Sequence, residues 1–271
     1  MIRLCFQVIL LSVAAVGMIP NCTGDVITID SFSTALSFTN GVFKNSSGTI
    51  ISPGGSNIYD SANKFVRVDN GNSAEWQDTG TGILGNTRKV LVTNNPAPAG
   101  AWKSSTLTIN GGELGVNSPS NNFLCLTCLQ YSFALTPVDV FLYHFIRIDL
   151  SAFNPAYKSS FQTRLSISDG TTTAVLTMSN FVQGINKFNL AAASNWTTLN
   201  KASVTSAMLE FTTSANGVDF NADMIAFSTN PEPGTFGILA ASIALLALRR
   251  FRKGRNEAHC RNTPSLAVES D

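Results

Sequence analysis

The stretch "FQTRLSISD", Phe161–Asp169, decides the fold. Phe161, Thr163, Leu165 and Ile167 occupy alternate positions, and Gln162, Arg164, Ser166 and Ser168 fill the places between. Successive side chains of a strand point to opposite faces, so this alternation predicts one face in a core and one in water. Asp169-Gly170 follows, and the run "TAVLTMS" comes after it. That arrangement predicts a hairpin turn with positive φ at Gly170.

Working outward, the same period recurs. "FIRIDL" predicts Ile146, Ile148 and Leu150 inward, with Arg147 and Asp149 outward, and "KFVRVD" puts Val66 and Val68 together. "RKVLVT", "STLTIN", "AMLEFTT" and "DMIAFST" are further short runs rich in Val, Ile, Thr and Phe. Turn signals lie between the runs: Pro53-Gly54-Gly55, Asp69-Asn70-Gly71, Asn94-Asn95-Pro96, Asn110-Gly111-Gly112 and Asn216-Gly217. No amphipathic helical pattern is sustained beyond about two turns, "FNLAAASNW" being the longest candidate. Many short strands with regular turns predict an all-β protein, a β-sandwich of jelly-roll type. Asn94 to Trp102, rich in proline and alanine, reads as an exposed loop or a boundary, and no internal repeat is present.

The two ends read as address labels. Residues 1–24 carry Arg3, an apolar run from Leu4 to Ile19, and then Cys22 and Gly24 at the −3 and −1 positions of a cut before Asp25. This is the layout of a signal peptide, with an uncleaved anchor, a cut at Gly17 or a lipoprotein cut before Cys22 as alternatives. The ectodomain is then 25–230, with 11 Lys and Arg against 13 Asp and Glu. A nearly neutral body gives no basic face for nucleic acid. At the other end, Phe236 to Leu248 are 13 consecutive residues without formal charge. As a helix they would span about 20 Å, against a hydrocarbon core of about 30 Å. Arg249, Arg250, Arg252, Lys253 and Arg255 follow at once and predict a cytoplasmic side, with the chain ahead of Pro231 outside.

Pro231-Glu232-Pro233, the short apolar segment 236–248 and the basic cluster 249–255 together resemble a PEP-CTERM sorting domain, also known as an ice-binding protein C-terminal domain. The resemblance covers 231–255 and implies an exported bacterial protein processed by an exosortase, with release or attachment at the cell surface. Neither proline donates a backbone hydrogen bond, and both favour extended chain, so the motif reads as an exposed strip outside the membrane. The family usually ends within the arginine cluster, whereas here a tail of 256–271 continues. A plain tail anchor is the other reading.

The body offers little for catalysis. His144 is its one histidine, so a Ser-His-Asp triad would have to use it, and it reads instead as a strand histidine against the core or edge. The three body glutamates, Glu75, Glu113 and Glu210, lie in separate segments, and Glu210 reads as the outward face of a strand. Cys125 and Cys128 form a C-L-T-C pair: a short-range disulfide, or two free thiols, since i and i+3 point to opposite faces of a regular strand. Trp76 and Trp102, in polar and loop-like surroundings, are candidates for stacking on sugar rings, with core packing the alternative. The closing run "GVDFNADMIAFST" weakly resembles the last strand of carbohydrate-binding jelly rolls. That resemblance implies a place beside the first strand and makes Asp223 and Asp30 candidates for a structural calcium, against plain surface carboxylates. No other cofactor is implied. The reading is a non-catalytic surface or matrix protein, associated with extracellular polysaccharide. The alternative is a secreted polysaccharide-active enzyme with an unrecognised carboxylate site.

Overall fold

The computed structural model describes residues 25–94, 104–117, 125–213 and 218–229. The signal segment, Trp102, the sorting segment 231–255 and the tail 256–271 lie outside the described residues. The strands are β1 (Val26–Asp30), β2 (Val42–Lys44), β3 (Ile50–Ile51), β4 (Ile58–Asp60), β5 (Phe65–Val68), β6 (Ser73–Thr79), β7 (Thr87–Asn94) and β8 (Ser105–Asn110). They continue as β9 (Glu113–Asn117), β10 (Cys125–Ser132), β11 (Phe145–Phe153), β12 (Phe161–Ser168), β13 (Thr173–Met178), β14 (Gly184–Asn189), β15 (Ser206–Thr213) and β16 (Asp219–Ser228).

These strands form two antiparallel sheets of eight. The first runs β14-β11-β16-β9-β8-β5-β4, with β1 also on β16, and the second runs β13-β12-β15-β10-β7-β6-β2-β3. Strands and hairpins pass alternately between the sheets, which is the jelly-roll manner of building a sandwich. The long β16 is shared on one side, where β9 pairs with 219–222 and β1 with 225–228. The last strand therefore lies beside the first, as its sequence implied. "FNLAAASNW" is strand, then a 3-10 turn at Leu190–Ala192, because Asn189 caps the turn by accepting from the Ala191 N–H at 2.8 Å.

The core follows the alternation. Phe161, Thr163, Leu165 and Ile167 are all buried, as are Ile146, Ile148 and Leu150, and Val66 and Val68. Phe161 sits at the centre of an aromatic cluster with Phe153, Phe181, Phe211 and Phe220, with ring centroids 4.8–6.2 Å apart. Such offset and edge contacts add about 0.5–1.5 kcal/mol per pair beyond area burial. Gly170 has φ +93, the hairpin geometry its neighbour Asp169 predicts.

The interior also holds buried charge. Arg88, on the inward face of β7, is fully buried together with Asp30 and Asp78. Its Nη1 donates to Asp30 Oδ2 at 2.6 Å, its Nη2 to Asp78 Oδ2 at 2.9 Å and to the Thr34 carbonyl at 3.0 Å, and its Nε to Asp78 Oδ2 at 3.2 Å. The Tyr131 hydroxyl donates to Asp30 Oδ2 at 2.9 Å, and Trp76 Nε1 donates to Asp78 Oδ2 at 3.2 Å. The remaining carboxylate oxygens accept from the Phe32 and Ser37 N–H groups, both at 2.8 Å. Burial pushes the Asp30 carboxyl above its ordinary value against the pull of Arg88, and burial likewise raises Tyr131. Burial opposes the charge on Arg88, but the surrounding carboxylates outweigh it and hold the guanidinium charged.

Asp30 reaches this cluster because the β1 register shifts between Thr28 and Asp30, so that Ile29 and Asp30 are both buried. Such a bulge re-aims a side chain. Phe32 follows with φ +53, a left-handed conformation that costs a bulky residue about 1–2 kcal/mol. The Asp30 bond to its N–H and its ring 5.7 Å from the Arg88 guanidinium hold it there.

Removing Arg88 leaves two buried carboxylates without a counter-charge. Arg88→Ala is expected to lower unfolding stability by about 3–5 kcal/mol in urea denaturation. A loss below about 1 kcal/mol would show the cluster to be energetically idle.

Candidate functional site

The outer face of the second sheet carries a shallow hollow of about 330 Å³, lined by Leu126, Gln162, Thr163, Arg164, Thr177, Glu210 and Thr212. Four neighbouring strands supply these residues. β12 and β15 pair with Gln162 opposite Thr212 and Arg164 opposite Glu210. β13 adds Thr177 opposite Arg164, and β10 adds Leu126 opposite Thr212. Because the period is two, the sequence that buries Phe161, Leu165 and Ile167 must point Gln162 and Arg164 here. Arg164 Nη1 donates to Glu210 Oε2 at 3.1 Å, with the arginine side chain 53% exposed and the glutamate 20%. One N–H is engaged in that bond. A guanidinium has five, so the others can meet an incoming acceptor. The Gln162 amide and the hydroxyls of Thr177 and Thr212 add donors and acceptors on rigid backbone. Glu210 is the only carboxylate among the described residues lining the hollow, and it is held by Arg164.

The residues singled out in the sequence are distributed otherwise. Trp76 is not on a loop: it is the inward residue of β6, 4% exposed, 5.5 Å from the Phe38 ring and bonded to Asp78. A side chain so placed cannot stack on a sugar. The core-packing alternative is what the structure has, and the loop-like look of the sequence has a physical cause. The inward face of β6 is Ala74, Trp76 and Asp78, and the buried charge disguises the alternation. Asp30 and Asp223 do not meet. Asp30 is buried and has its oxygens taken by Arg88, Tyr131 and Phe32, whereas Asp223 is exposed on β16. A calcium shared between them would have to displace the guanidinium. Among the described residues no group of three or more His, Cys, Asp or Glu could hold a metal ion. Glu75 pairs with Lys44 at 2.6 Å, Glu113 accepts from Ser151 at 2.5 Å, and His144 is exposed just ahead of β11.

Cys125 and Cys128 both lie in β10, whose register with β15 and β7 is unbroken. Three residues of strand separate their Cα atoms by about 10 Å, and a disulfide tolerates about 7 Å. Cys128 is a free thiol in the structure. It stands opposite Glu210 on the outer face, and burial, with that carboxylate, pushes its pKa up to about 11.

No family model and no curated protein matches the chain. Among solved structures it is similar to a family 11 carbohydrate-binding module from Clostridium thermocellum in complex with a β-1,3-1,4-mixed-linked tetrasaccharide. That similarity has 12% identity and a TM-score of 0.30, and covers 59% of this chain and 90% of the module. It is also similar to PfGH50B, at 14% identity and a TM-score of 0.33, over 47% of this chain and 22% of that one. The glycoside hydrolase domain of Endo-D from Streptococcus pneumoniae R6 matches at 15% identity and a TM-score of 0.32, over 55% of this chain and 23% of its own. Likenesses this loose carry no argument for a ligand or an activity.

The thiolate is the reactive form, so a raised pKa makes the Cys128 thiol inert. Alkylation of Cys128 at pH 8 is expected to be more than ~50-fold slower in the folded protein than in urea, by mass spectrometry of the labelled peptide. Rapid native labelling, or recovery of Cys125 and Cys128 in one bridged peptide, would show that β10 does not keep this register.

Proposed function

We propose that the sandwich is the non-catalytic ectodomain of an exported protein that binds a hydroxyl-rich polysaccharide across the outer face of its second sheet. One observation carries this reading. The half-exposed Arg164 stands in an open hollow with Gln162, Thr177 and Thr212, on paired strands of one sheet. The group suits recognition: a planar donor fork, an amide and two hydroxyls match the alternating donors and acceptors of a glycan. Hydrolysis needs two carboxylates flanking one bond, and among the described residues lining the hollow Glu210 is the one carboxylate. Among the described residues the lining holds no aromatic ring, and its hydrogen-bonding groups are the proposed means of recognition.

The route to the surface is read from sequence. Pro231-Glu232-Pro233, the apolar 236–248 and the basic 249–255 support sorting by an exosortase-type enzyme after export by the signal segment 1–24. Among the described residues no helix is long and apolar enough to cross a membrane, and both of these segments lie outside them.

Arg164→Ala and Gln162→Ala are each expected to weaken retention on a responsive soluble polysaccharide about tenfold in affinity electrophoresis, with folding unchanged. The native protein is expected to release no new reducing ends. Reducing-end release that Glu210→Gln abolishes would make the site an enzyme's. Intact-mass measurement of the protein from a cell with the cognate exosortase is expected to find the residues after Pro233 removed. A mature protein retaining 234–271 would defeat the sorting reading.

A further inference from the structure

The loop between β10 and β11, residues 133–144, is built against the usual chemistry of turns. Thr136 N–H donates to the Phe133 carbonyl at 3.0 Å, and Tyr143 N–H donates to the Val140 carbonyl at 3.0 Å. These are two four-residue turns with Ala134-Leu135 and Phe141-Leu142 at their centres. Glycine, asparagine, aspartate and proline dominate such places. Here Leu135 is 99% exposed, Phe141 65% and Leu142 67%. Lone exposed apolar residues are ordinary, but three on one short loop, with Val26 40% exposed nearby, are a cluster.

The base of the loop is fixed. Phe133 and Val140 are buried, and Val138 and Val204 exchange backbone bonds of 2.8 and 2.9 Å. Val140 N–H donates to the Lys201 carbonyl at 2.8 Å, His144 N–H to the Ser228 carbonyl at 3.2 Å, and Phe141 N–H to Asp139 Oδ1 at 2.8 Å. Phe141 and Leu142 are therefore held out rather than left loose. The bond to Ser228 also places the loop where β16 ends, and Ser228 is the register partner of Val26 in β1. Both ends of the folded chain and the apolar turns share one end of the sandwich.

We propose that this end rests on a lipid bilayer, with Phe141 and Leu142 entering the interface and Leu135 beside them. The occupant follows from the chain itself, and the inference rests on the sorting segment of the function proposed above, at the stage before 234–271 is removed. Phe236 opens the uncharged stretch 236–248 and lies eight residues beyond Ser228, a tether of at most about 29 Å even when fully extended. While that stretch is in a membrane, the turns cannot leave its neighbourhood. Phenylalanine and leucine are side chains that seat at the boundary of headgroup and acyl chain. The contact would stand the strands on end. Arg164, four residues from the β12 end at Ser168, would then sit about 13 Å from that edge, clear of lipid.

The test uses the full chain with Phe141→Trp in vesicles of phosphatidylethanolamine and phosphatidylglycerol, with or without dibrominated acyl chains. Emission of the wild-type protein is subtracted, Leu142→Trp serves as a second reporter, and Ser47→Trp, exposed at the opposite end of the sheet, as a control. A wild-type urea midpoint shows each variant folded. The expected result is a blue-shifted emission from position 141 or 142, quenched by half or more in brominated vesicles, and no change at position 47. Co-flotation of the chain with vesicles without such quenching overturns the inference and leaves anchoring standing. Failure to co-float overturns both. A dimer in lipid-free solution that Phe141→Ser dissociates would assign the turns to a second copy and overturn the inference.

Discussion

The burial of Arg88 is the constraint on which the sandwich depends. A lone guanidinium at zero exposure would cost several kcal/mol in desolvation, and only opposite charge and full hydrogen bonding offset it. The two carboxylates that do so come from different sheets: Asp30 from β1 in the first, Asp78 from β6 in the second. Tyr131 of β10 and the backbone of residues 32, 34 and 37 close the shell. A fold that misplaced β1 would strand the arginine. The cluster thus ties the first strand across the core, and with it β16, β1's partner. The bulge before Asp30 and the left-handed Phe32 are local costs that this geometry requires. Gly85 is a further requirement: at φ +77, a Cβ there would lie 2.1 Å from the Ser132 carbonyl oxygen.

The same strands then serve two unlike surfaces. Phe161 to Ser168 puts a phenylalanine-centred core on one side and Gln162 and Arg164 on the other, so the face proposed for recognition is backed by packed core. The ends of the strands do a different job. Polar turns such as 169–172, where Asp169 accepts from Thr171, Thr172 and Asn200, bring water-facing chemistry to this edge. The 133–144 loop on the same edge turns leucine and phenylalanine outward instead.

Much of this was legible in residue order because burial on one face of a strand imposes a period of two. Phe161, Ile146 and Val66 with their alternating neighbours all lie inward as read, and Glu210 lies outward. Trp76 also lies inward, as its core-packing alternative has it, but its strand does not show in the sequence for a specific reason. Its inward neighbours include Asp78, and a charged residue at a core position looks like a loop until its counter-ion is known. Asp30, which the jelly-roll resemblance offered as a calcium candidate against a surface carboxylate, is neither: its partner, an arginine 58 positions away, cannot be seen from the sequence to face it.

Residue order therefore determined which side is wet in the strands whose alternation is unbroken by buried charge, where turn residues sit between them, and that both ends carry apolar segments with a basic cluster after the second. These are local properties, set by spacing and side-chain type within a few residues. Only the tertiary structure decided which strands are neighbours. It paired β12 with β15 and so put Arg164 against Glu210, brought Asp30 and Asp78 to one guanidinium, and seated the 133–144 loop beside the end of β16. Pairing between distant strands is chosen by the fit of whole faces and by buried charge, and neither is written in any short window of the chain.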